Sequence, residues 1–185
     1  MFAVCKLQTN PYLSSMKSHN GMRPQDVVIL LKILTVKEAS WQYRDLAATL
    51  FMSVSEISES LNRSYMAGLV DETKRKIRRQ SLMEFIEFGL HYVFPQLPGR
   101  LVTGVPTAHS HPFYAKKMVS DMLYVWPDID GKVKGLSIQP LYKTVTKAVK
   151  KNEDLYKLLA GIDIIRVGNT RELKLALKEL HQYIL

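Results

Sequence analysis

The strongest chemical signal in the sequence is a dense run of cations, which places five Lys or Arg side chains within six residues. The run comprises Lys74, Arg75, Lys76, Arg78 and Arg79. Such side chains repel one another unless they are solvated or face a polyanion. A nucleic-acid backbone is a polyanion of this kind, and it binds cations in a salt-dependent way. We therefore expect this segment to contact phosphate groups.

A second chemical signal is a helical segment rich in small and polar residues, which lies just before the cations. We expect its outward face to carry the small or polar residues Ser53, Ser55, Ser58, Glu59, Ser60, Asn62, Arg63 and Ser64. Of the outward residues, Ser53, Val54, Ser55, Ser58, Glu59, Asn62 and Arg63 are predicted to face DNA. A slim polar helix fits a major groove about 12 Å wide. There Val54 could contact a thymine methyl, Asn62 an adenine, Glu59 a cytosine amino group, and Arg63 a guanine or a phosphate. The alternative is that this surface is only the solvated side of an amphipathic helix.

Metal and hydrolytic chemistry have weaker support in the sequence. His109 and His111 could both face one side of a strand, but a zinc site needs three or four ligands, and no suitably spaced His, Cys or acidic cluster follows. Ser110 lies between the two histidines without a G-x-S-x-G elbow or an oxyanion-hole signal. We therefore predict no catalytic residue, no metal and no cofactor, and we expect the protein not to be an enzyme.

The elements that must position the polar helix are two further helices before it. Pro24 and Asp26 suit the start of a first helix, in which Val27, Leu30, Leu31 and Leu34 recur with a helical period. Ser40 is predicted to cap the second helix. For the third helix, Ser53 and Glu56 form an S-x-x-E capping box, and Gly68 supplies a left-handed residue at its end.

This arrangement resembles the helix-turn-helix motif, most closely that of MarR-type and related bacterial winged-helix regulators, over about residues 22–80. Leu46, Ala47, Leu50, Ile57 and Leu61 fall at the motif's apolar positions, and the chain from Leu69 to Ile77 looks like a wing. Phe51 departs from the pattern, because the motif commonly has Gly there. The resemblance implies a recognition helix at 53–67 in the major groove and a basic wing at 71–80 on phosphates or the minor groove.

The rest of the chain is predicted to be a mixture of helices and short strands. A helix follows the wing, with Leu82, Phe85, Ile86, Leu90 and Val93 on one face and Pro95 at its end, before an irregular stretch to residue 112. Gly131 to Gly135 reads as a hairpin turn between strands at 122–126 and 133–138. Toward the C-terminus, helical spacing groups Leu141, Val145 and Val149, then Leu155, Leu158 and Leu159. Gly161 and Gly168 interrupt the pattern, and Asn169 or Thr170 caps a last helix carrying Leu173, Leu177, Leu180 and Ile184.

These elements predict a mainly α protein with a small β component, an α+β fold. We expect a flexible arm at 1–21, a winged helix-turn-helix domain with its trailing helix at 22–95, and a small α/β region at 96–185 for dimerisation, a partner or a ligand. Lys143, Lys147, Lys150 and Lys151 form a basic stripe on that region, either solvated or in contact with nucleic acid.

Composition is consistent with a protein that acts on DNA. A net charge of +9 favours a polyanionic partner, one cysteine cannot form an intramolecular disulfide, and no signal peptide or membrane span is recognisable. We therefore expect a cytoplasmic, sequence-specific transcriptional regulator that binds double-stranded DNA as a homodimer without a membrane partner. The alternatives are a winged-helix protein-interaction module and a DNA-binding, antitoxin-like partner in a toxin or defence operon.

Overall fold

The computed structural model describes residues 21–36, 41–118, 120–168 and 170–185. Within these ranges the protein is mainly helical with one small three-stranded sheet, which confirms the predicted α+β class. Residues 1–20 of the arm predicted at 1–21, the Ser40 cap and the Asn169 cap lie outside the described residues.

Three helices come first, in the predicted order: α1 at Pro24–Leu34, α2 at Tyr43–Leu50 and α3 at Val54–Met66. Pro24 occupies the first turn of α1 as expected, and the Gln42 backbone N–H, which precedes α2, donates to the Asp45 carboxylate at 2.9 Å. The Ser53 hydroxyl accepts a hydrogen bond from the Glu56 N–H at 3.1 Å, which confirms Ser53 as the N-cap of α3.

The turn between α2 and α3 has a left-handed residue at the position where the sequence carries Phe51. Its φ of 55° and ψ of 44° lie in the region that glycine normally occupies, and its side chain is 56% exposed. Phe51 therefore adopts the left-handed conformation that glycine usually has in this turn, and the presence of its Cβ adds backbone strain. Gly68 ends α3 with a φ of 74°, as predicted.

A two-residue bridge follows α3 in place of two full strands. Val70 pairs with Ile77 in antiparallel fashion, and the flanking backbone hydrogen bonds join Asp71 to Lys76 and Arg78 to Leu69. We call residues 69–78 the basic hairpin.

The helix after the basic hairpin is interrupted by one wide turn. It comprises α4 at Arg79–Glu84, a π-helical segment at Phe85–Gly89 and α5 at Leu90–Val93. Leu82, Ile86 and Leu90 are buried as predicted, but Val93 is 51% exposed. A π-turn inserts an extra residue into the helical register, which accounts for the departure of Val93 from the face that the 3.6-residue period predicts.

The sheet lies within and beyond the stretch expected to be irregular. It contains β1 at Leu101–Pro106, β2 at Tyr124–Pro127 and β3 at Val133–Ser137, and each strand pairs with the other two. The predicted hairpin at residues 131–135 is wrong, because β2 and β3 are both antiparallel to β1 and therefore parallel to each other. A Cβ on Gly104 would collide with the Trp126 carbonyl, so this tight curl requires glycine there.

Short helices at Pro112–Ala115 (α6) and Val145–Ala148 (α7) lead to two long ones, α8 at Glu153–Val167 and α9 at Thr170–Ile184. Gly168 ends α8 with a φ of 82°, as predicted, whereas Gly161 lies inside α8 and packs against the Tyr114 ring. α8 is buried on nearly every side from Leu155 onward, and it contacts α1, α5 and α9. Buried residues from α1 to α9 join in one hydrophobic cluster around it.

Candidate nucleic-acid interface

The solvent-facing side of α3 carries most of the residues expected to meet DNA. Ser53, Val54, Ser55, Glu59 and Asn62 are exposed, and Ser58 is half-buried. The side chains are short except for Glu59, so the helix presents a slim polar ridge. Such a ridge can enter a groove and offer hydrogen bonds to base edges.

Arg63 is the exception, and its predicted outward position is incorrect. Its side chain is only 7% exposed, and its Nε and Nη2 donate to the two carboxylate oxygens of Asp26 at 2.9 and 2.7 Å. Nη2 also donates to Glu56 Oε1 at 2.7 Å, and Glu59 Oε2 lies 3.7 Å from Nη1. The guanidinium is therefore satisfied inside the protein and joins α3 to α1.

These contacts also set the protonation of the cluster. The hydrogen bond to Asp26 raises the pKa of Arg63, against the opposing effect of burial, so the guanidinium stays charged. Partial burial of Glu56 works to raise its pKa, but hydrogen bonds from Arg63 and Gln25 bring that pKa below its usual range. The Glu56 carboxylate thus serves this ion pair instead of completing the capping box with Ser53.

Position in the helix explains why two of the three inward-facing polar residues of α3, the serines, turned inward. Ser60, Arg63 and Ser64 are buried, although small or charged residues were expected on the outside. Ser60 and Ser64 follow Ile57 by three and seven residues, and this spacing places them on the apolar face with Ile57. The sequence signal was therefore present in the helical period, and residue type alone was misleading.

The turn of the basic hairpin is organised by one carboxylate. Asp71 accepts hydrogen bonds from the backbone N–H groups of Arg75 and Lys76, both at 3.0 Å, and from the Thr73 hydroxyl at 2.7 Å. The backbone bond from Lys76 is the main cause that lowers the pKa of Asp71. Lys74 adopts a φ of 57° at the tip, which the surrounding hydrogen bonds support.

Two of the five cations between residues 74 and 79 are held by contacts within the protein. The Arg75 guanidinium stacks over the Trp41 ring, 4.7 Å from its centroid, and over the Tyr43 ring at 5.2 Å. Arg79 donates to the Ile184 carbonyl at the end of α9 at 2.8 Å. Lys76 and Arg78 are exposed, and in the described part of the chain their side chains make no hydrogen bond, ion pair or ring contact.

Lys74 joins the hairpin to α3. Its ammonium donates to the Asn62 side-chain oxygen and lies 5.8 Å from the centroid of the Tyr65 ring. Asn62 is exposed on the same ridge as Ser55 and Glu59. The ridge of α3 and the basic hairpin therefore form one continuous exposed surface, which we call the α3–hairpin surface.

The two histidines of the H-S-H stretch do not converge on a common point. His109 lies within a 3₁₀ turn at Ala108–Ser110, in place of a strand, His111 directly follows that turn, and both are buried. His109 Nε2 lies 2.7 Å from the Met122 carbonyl oxygen, with Nδ1 3.4 Å from Glu172, whereas His111 Nδ1 accepts from the Phe113 N–H at 3.1 Å. Ser110 accepts from the Tyr124 N–H at 2.8 Å. Each group thus supports the fold locally.

A buried polar cluster beside these histidines was not anticipated from the sequence. Asp163 in α8 accepts hydrogen bonds from Thr107 Oγ1 at 2.8 Å, Trp126 Nε1 at 2.6 Å and Arg166 Nη1 at 2.7 Å. Arg166 also donates to the Phe94 and Gln139 carbonyls at 3.1 and 2.9 Å. The i, i+3 spacing of Asp163 and Arg166 is a weak signal, because that spacing is common on solvated helix faces.

No family model, curated protein or solved structure matches the chain significantly. Among the described residues, no three His, Cys, Asp or Glu side chains come together in a way that could hold a metal ion. Over the same part of the chain, no helix has both the length and the apolar character needed to cross a bilayer.

Proposed function

We propose that the protein is a winged helix-turn-helix transcriptional regulator that binds double-stranded DNA in a sequence-specific way. The observation that carries the proposal is the α3–hairpin surface, in which Lys74 of the hairpin contacts Asn62 of α3. A recognition helix and an adjacent basic loop are the two parts with which such proteins contact a groove and the neighbouring backbone.

The shape of α3 supports a role in the major groove. Its exposed side carries hydroxyl, amide and carboxylate groups, which are the groups that discriminate base edges. Ser55, Ser58, Glu59 and Asn62 are the proposed base-reading residues. Arg63 is removed from that set, because its guanidinium is committed to Asp26 and Glu56.

We propose fewer cations as phosphate contacts than the five that the sequence suggested. Lys76 and Arg78 are exposed, and Arg75, though also exposed, is held by Trp41 and Tyr43. Lys74 lies between these cations and α3. Each phosphate that a cation neutralises adds about 0.9 to the slope of log K against log salt concentration. A wing of this size would supply a modest share of the salt-dependent affinity.

A dimer is proposed because two recognition helices can then reach successive turns of the duplex. Among the elements considered for the interface, α9 is packed on α8 and α4. The segment from α4 to α5 instead exposes Phe88 at 68% and Tyr92 at 81%, with Val93 beside them. This exposed apolar face favours the helix after the hairpin as the dimer contact.

The test is selection of bound duplexes from a random-sequence pool at two salt concentrations, followed by sequencing. We expect one palindromic site to be enriched by the native protein and lost when Ser55→Ala and Asn62→Ala are combined. Gln182→Ala, an exposed amide on α9, is the control that should keep the site.

A second pair of variants separates affinity from specificity. Lys76→Ala with Arg78→Ala should weaken binding to all sequences and lower the salt slope by about two. Lys174→Ala with Lys178→Ala removes the same charge from exposed positions on α9 and should change neither. Absence of any DNA binding by the native protein would refute the proposal.

A protein-interaction module is the second candidate, and one observation favours it. The margin of α3 exposes apolar side chains, with Val54 at 50%, Tyr65 at 42% and Met66 at 57%. These positions would suit a protein partner better than a phosphate backbone. Under this alternative, the combined Ser55 and Asn62 variant would leave DNA affinity unchanged.

A further inference from the structure

A cleft of about 480 Å³ lies between the N-terminal helices and the segment that leads into α8. One wall contains Lys32 of α1, Thr49 of α2 and the left-handed Phe51. The other wall contains Lys147, Lys150 and Lys151. This volume is in the range of small-molecule sites, roughly 300–1,000 Å³.

The charged residues that line the cleft are all cationic. Four of its lining residues are lysines, and none is acidic. The nearest carboxylates lie outside it: Asp130 is 3.9 Å from Lys150, and Asp128 interacts electrostatically with Lys150 and Lys147. Among the described residues, the side chains of Lys32 and Lys151 have no hydrogen bond or ion-pair partner within 4 Å.

Lys32 distinguishes this cleft from an ordinary basic surface. Its side chain is half-buried, whereas Lys147, Lys150 and Lys151 are exposed. Burial lowers the pKa of Lys32, because the ammonium loses water and no carboxylate replaces it. An anion bound beside Lys32 would restore favourable interactions to this ammonium.

We propose that this cleft binds a small ligand that carries two or more linked phosphate groups. Four lysine side chains line one confined space, and Lys is a common point-charge ligand of phosphate. The phosphate chain can belong to a free polyphosphate or to the tail of a nucleotide. A DNA backbone fits less well, since a duplex is wide and convex and would meet the exposed lysines without reaching Lys32.

The position of the cleft gives binding a structural consequence. Phe51 lines the cleft and is also the left-handed residue of the turn between α2 and α3. Nearby, the Thr144 hydroxyl donates to the Leu50 carbonyl at 2.7 Å, which joins this turn to the segment before α7. A bound ligand would therefore contact both sides of a junction that supports α3.

The experiment is calorimetric titration of the full chain with tripolyphosphate and, separately, with ATP, at constant ionic strength and without DNA. We expect saturable binding with one site per chain. Lys32→Met combined with Lys147→Met should weaken it at least tenfold, since both charges are lost while the side-chain length is retained. Lys143→Met with Lys178→Met removes two exposed lysines outside the cleft and should leave the affinity within twofold.

The two probes distinguish the sources of the phosphate chain. Tighter binding of ATP would identify a nucleotide as the better ligand, and equal binding would identify the phosphate chain alone; either result supports the site. Lack of saturable binding to both probes, or an equal loss in the control variant, overturns it. Because no DNA is present, this result is independent of the test of DNA recognition.

Discussion

Two buried arginines, Arg63 and Arg166, are neutralised in different ways. Arg63 in α3 binds the carboxylate of Asp26 in α1 with two hydrogen bonds, across 37 residues of sequence, and also binds Glu56. Arg166 in α8 binds one carboxylate from its own helix, Asp163, and otherwise donates to two backbone carbonyls and the Gln96 side-chain oxygen. If Asp26 were removed, Arg63 would keep a carboxylate partner in Glu56, whereas Arg166 has no carboxylate partner besides Asp163 among the described residues.

The comparison shows how the number of partners governs the cost of losing one. Removing one member of a buried ion pair leaves an unpaired charge, which is far more costly than the pair is worth. At Arg63 the remaining Glu56 limits that cost. At Arg166 no second carboxylate is within bonding distance among the described residues, and the Thr107 and Trp126 donors lose their acceptor as well.

The largest effect is therefore expected from Asp163→Ala. This change leaves the buried Thr107 and Trp126 donors without their acceptor and the buried Arg166 without a carboxylate, and it should lower the free energy of unfolding by about 3–5 kcal/mol. Urea denaturation followed by circular dichroism measures the change. Asp163→Asn, which keeps an acceptor oxygen, should be less severe, and Glu153→Ala at the exposed start of α8 should cost less than about 1 kcal/mol. A loss below 1 kcal/mol for Asp163→Ala would contradict the comparison.

Low pH should destabilise the C-terminal region through protonation of His111, which lies next to the buried polar cluster around Asp163. Burial, and then the nearby charge of Lys157, lowers the pKa of His111 to about 4, against about 6.5 in the unfolded chain. Between pH 4 and 6.5 the unfolded state therefore binds more protons at His111 than the folded state does. The contribution of neutral His111 to the free energy of unfolding is complete above pH 6.5 and is lost as the pH falls toward 4. The slope should approach about 1.4 kcal/mol per pH unit, or about 3 kcal/mol in all.

Unfolding free energies measured from pH 4 to 7 test this. His111→Gln should flatten the profile, whatever its effect on stability at pH 7, because glutamine does not titrate. His181→Gln, at a histidine that is 42% exposed, should keep the native slope. An unchanged slope in His111→Gln would assign the acid sensitivity to another group.

In the N-terminal region, Asp26→Asn should cost about 1–3 kcal/mol, since Arg63 keeps its bond to Glu56. Asp45→Asn is the matched control. Both carboxylates accept the backbone N–H that precedes their helix, but Asp45 is exposed and binds no buried arginine. The difference between the two variants in urea denaturation isolates the contribution of the ion pair. Equal losses would show that helix capping accounts for both.

The smallest expected effect is a gain, from Phe51→Gly. Glycine adopts the left-handed conformation at this turn without strain, which should raise the free energy of unfolding by up to about 1 kcal/mol. Thermal denaturation provides the measurement. Phe51→Ala shortens the same side chain without relieving the backbone, so it should not stabilise, and a gain in that variant would remove strain as the explanation.

Local signals in the sequence were sufficient for the helix ends. Ser53, Gly68 and Gly168 each act on backbone groups a few residues away, so their effect follows from the adjacent sequence alone. The order of α1, α2 and α3 was predicted for the same reason. Most of the residues predicted for the exposed side of α3 were also correct, because helical register depends only on adjacent sequence.

Contacts between distant segments account for what was missed. β1 pairs with strands about 20 to 35 residues away, and no nearby turn signals that pairing. Arg63 is buried because Asp26 and Glu56 face it, which no pattern within α3 reveals. The cleft beside Lys32 likewise exists only because α1 and residues 147–152 meet in space.

The central position of α8 has a consequence for synthesis of the chain. α1 has seven buried residues, and α8 is among the helices packed on it, yet α8 begins about 120 residues after α1 ends. A ribosome adds about 5–20 residues per second, so synthesis of α8 begins roughly 6–24 seconds after that of α1 ends. During translation, the part of the apolar surface of α1 that α8 covers is thus left to the solvent or to a chaperone.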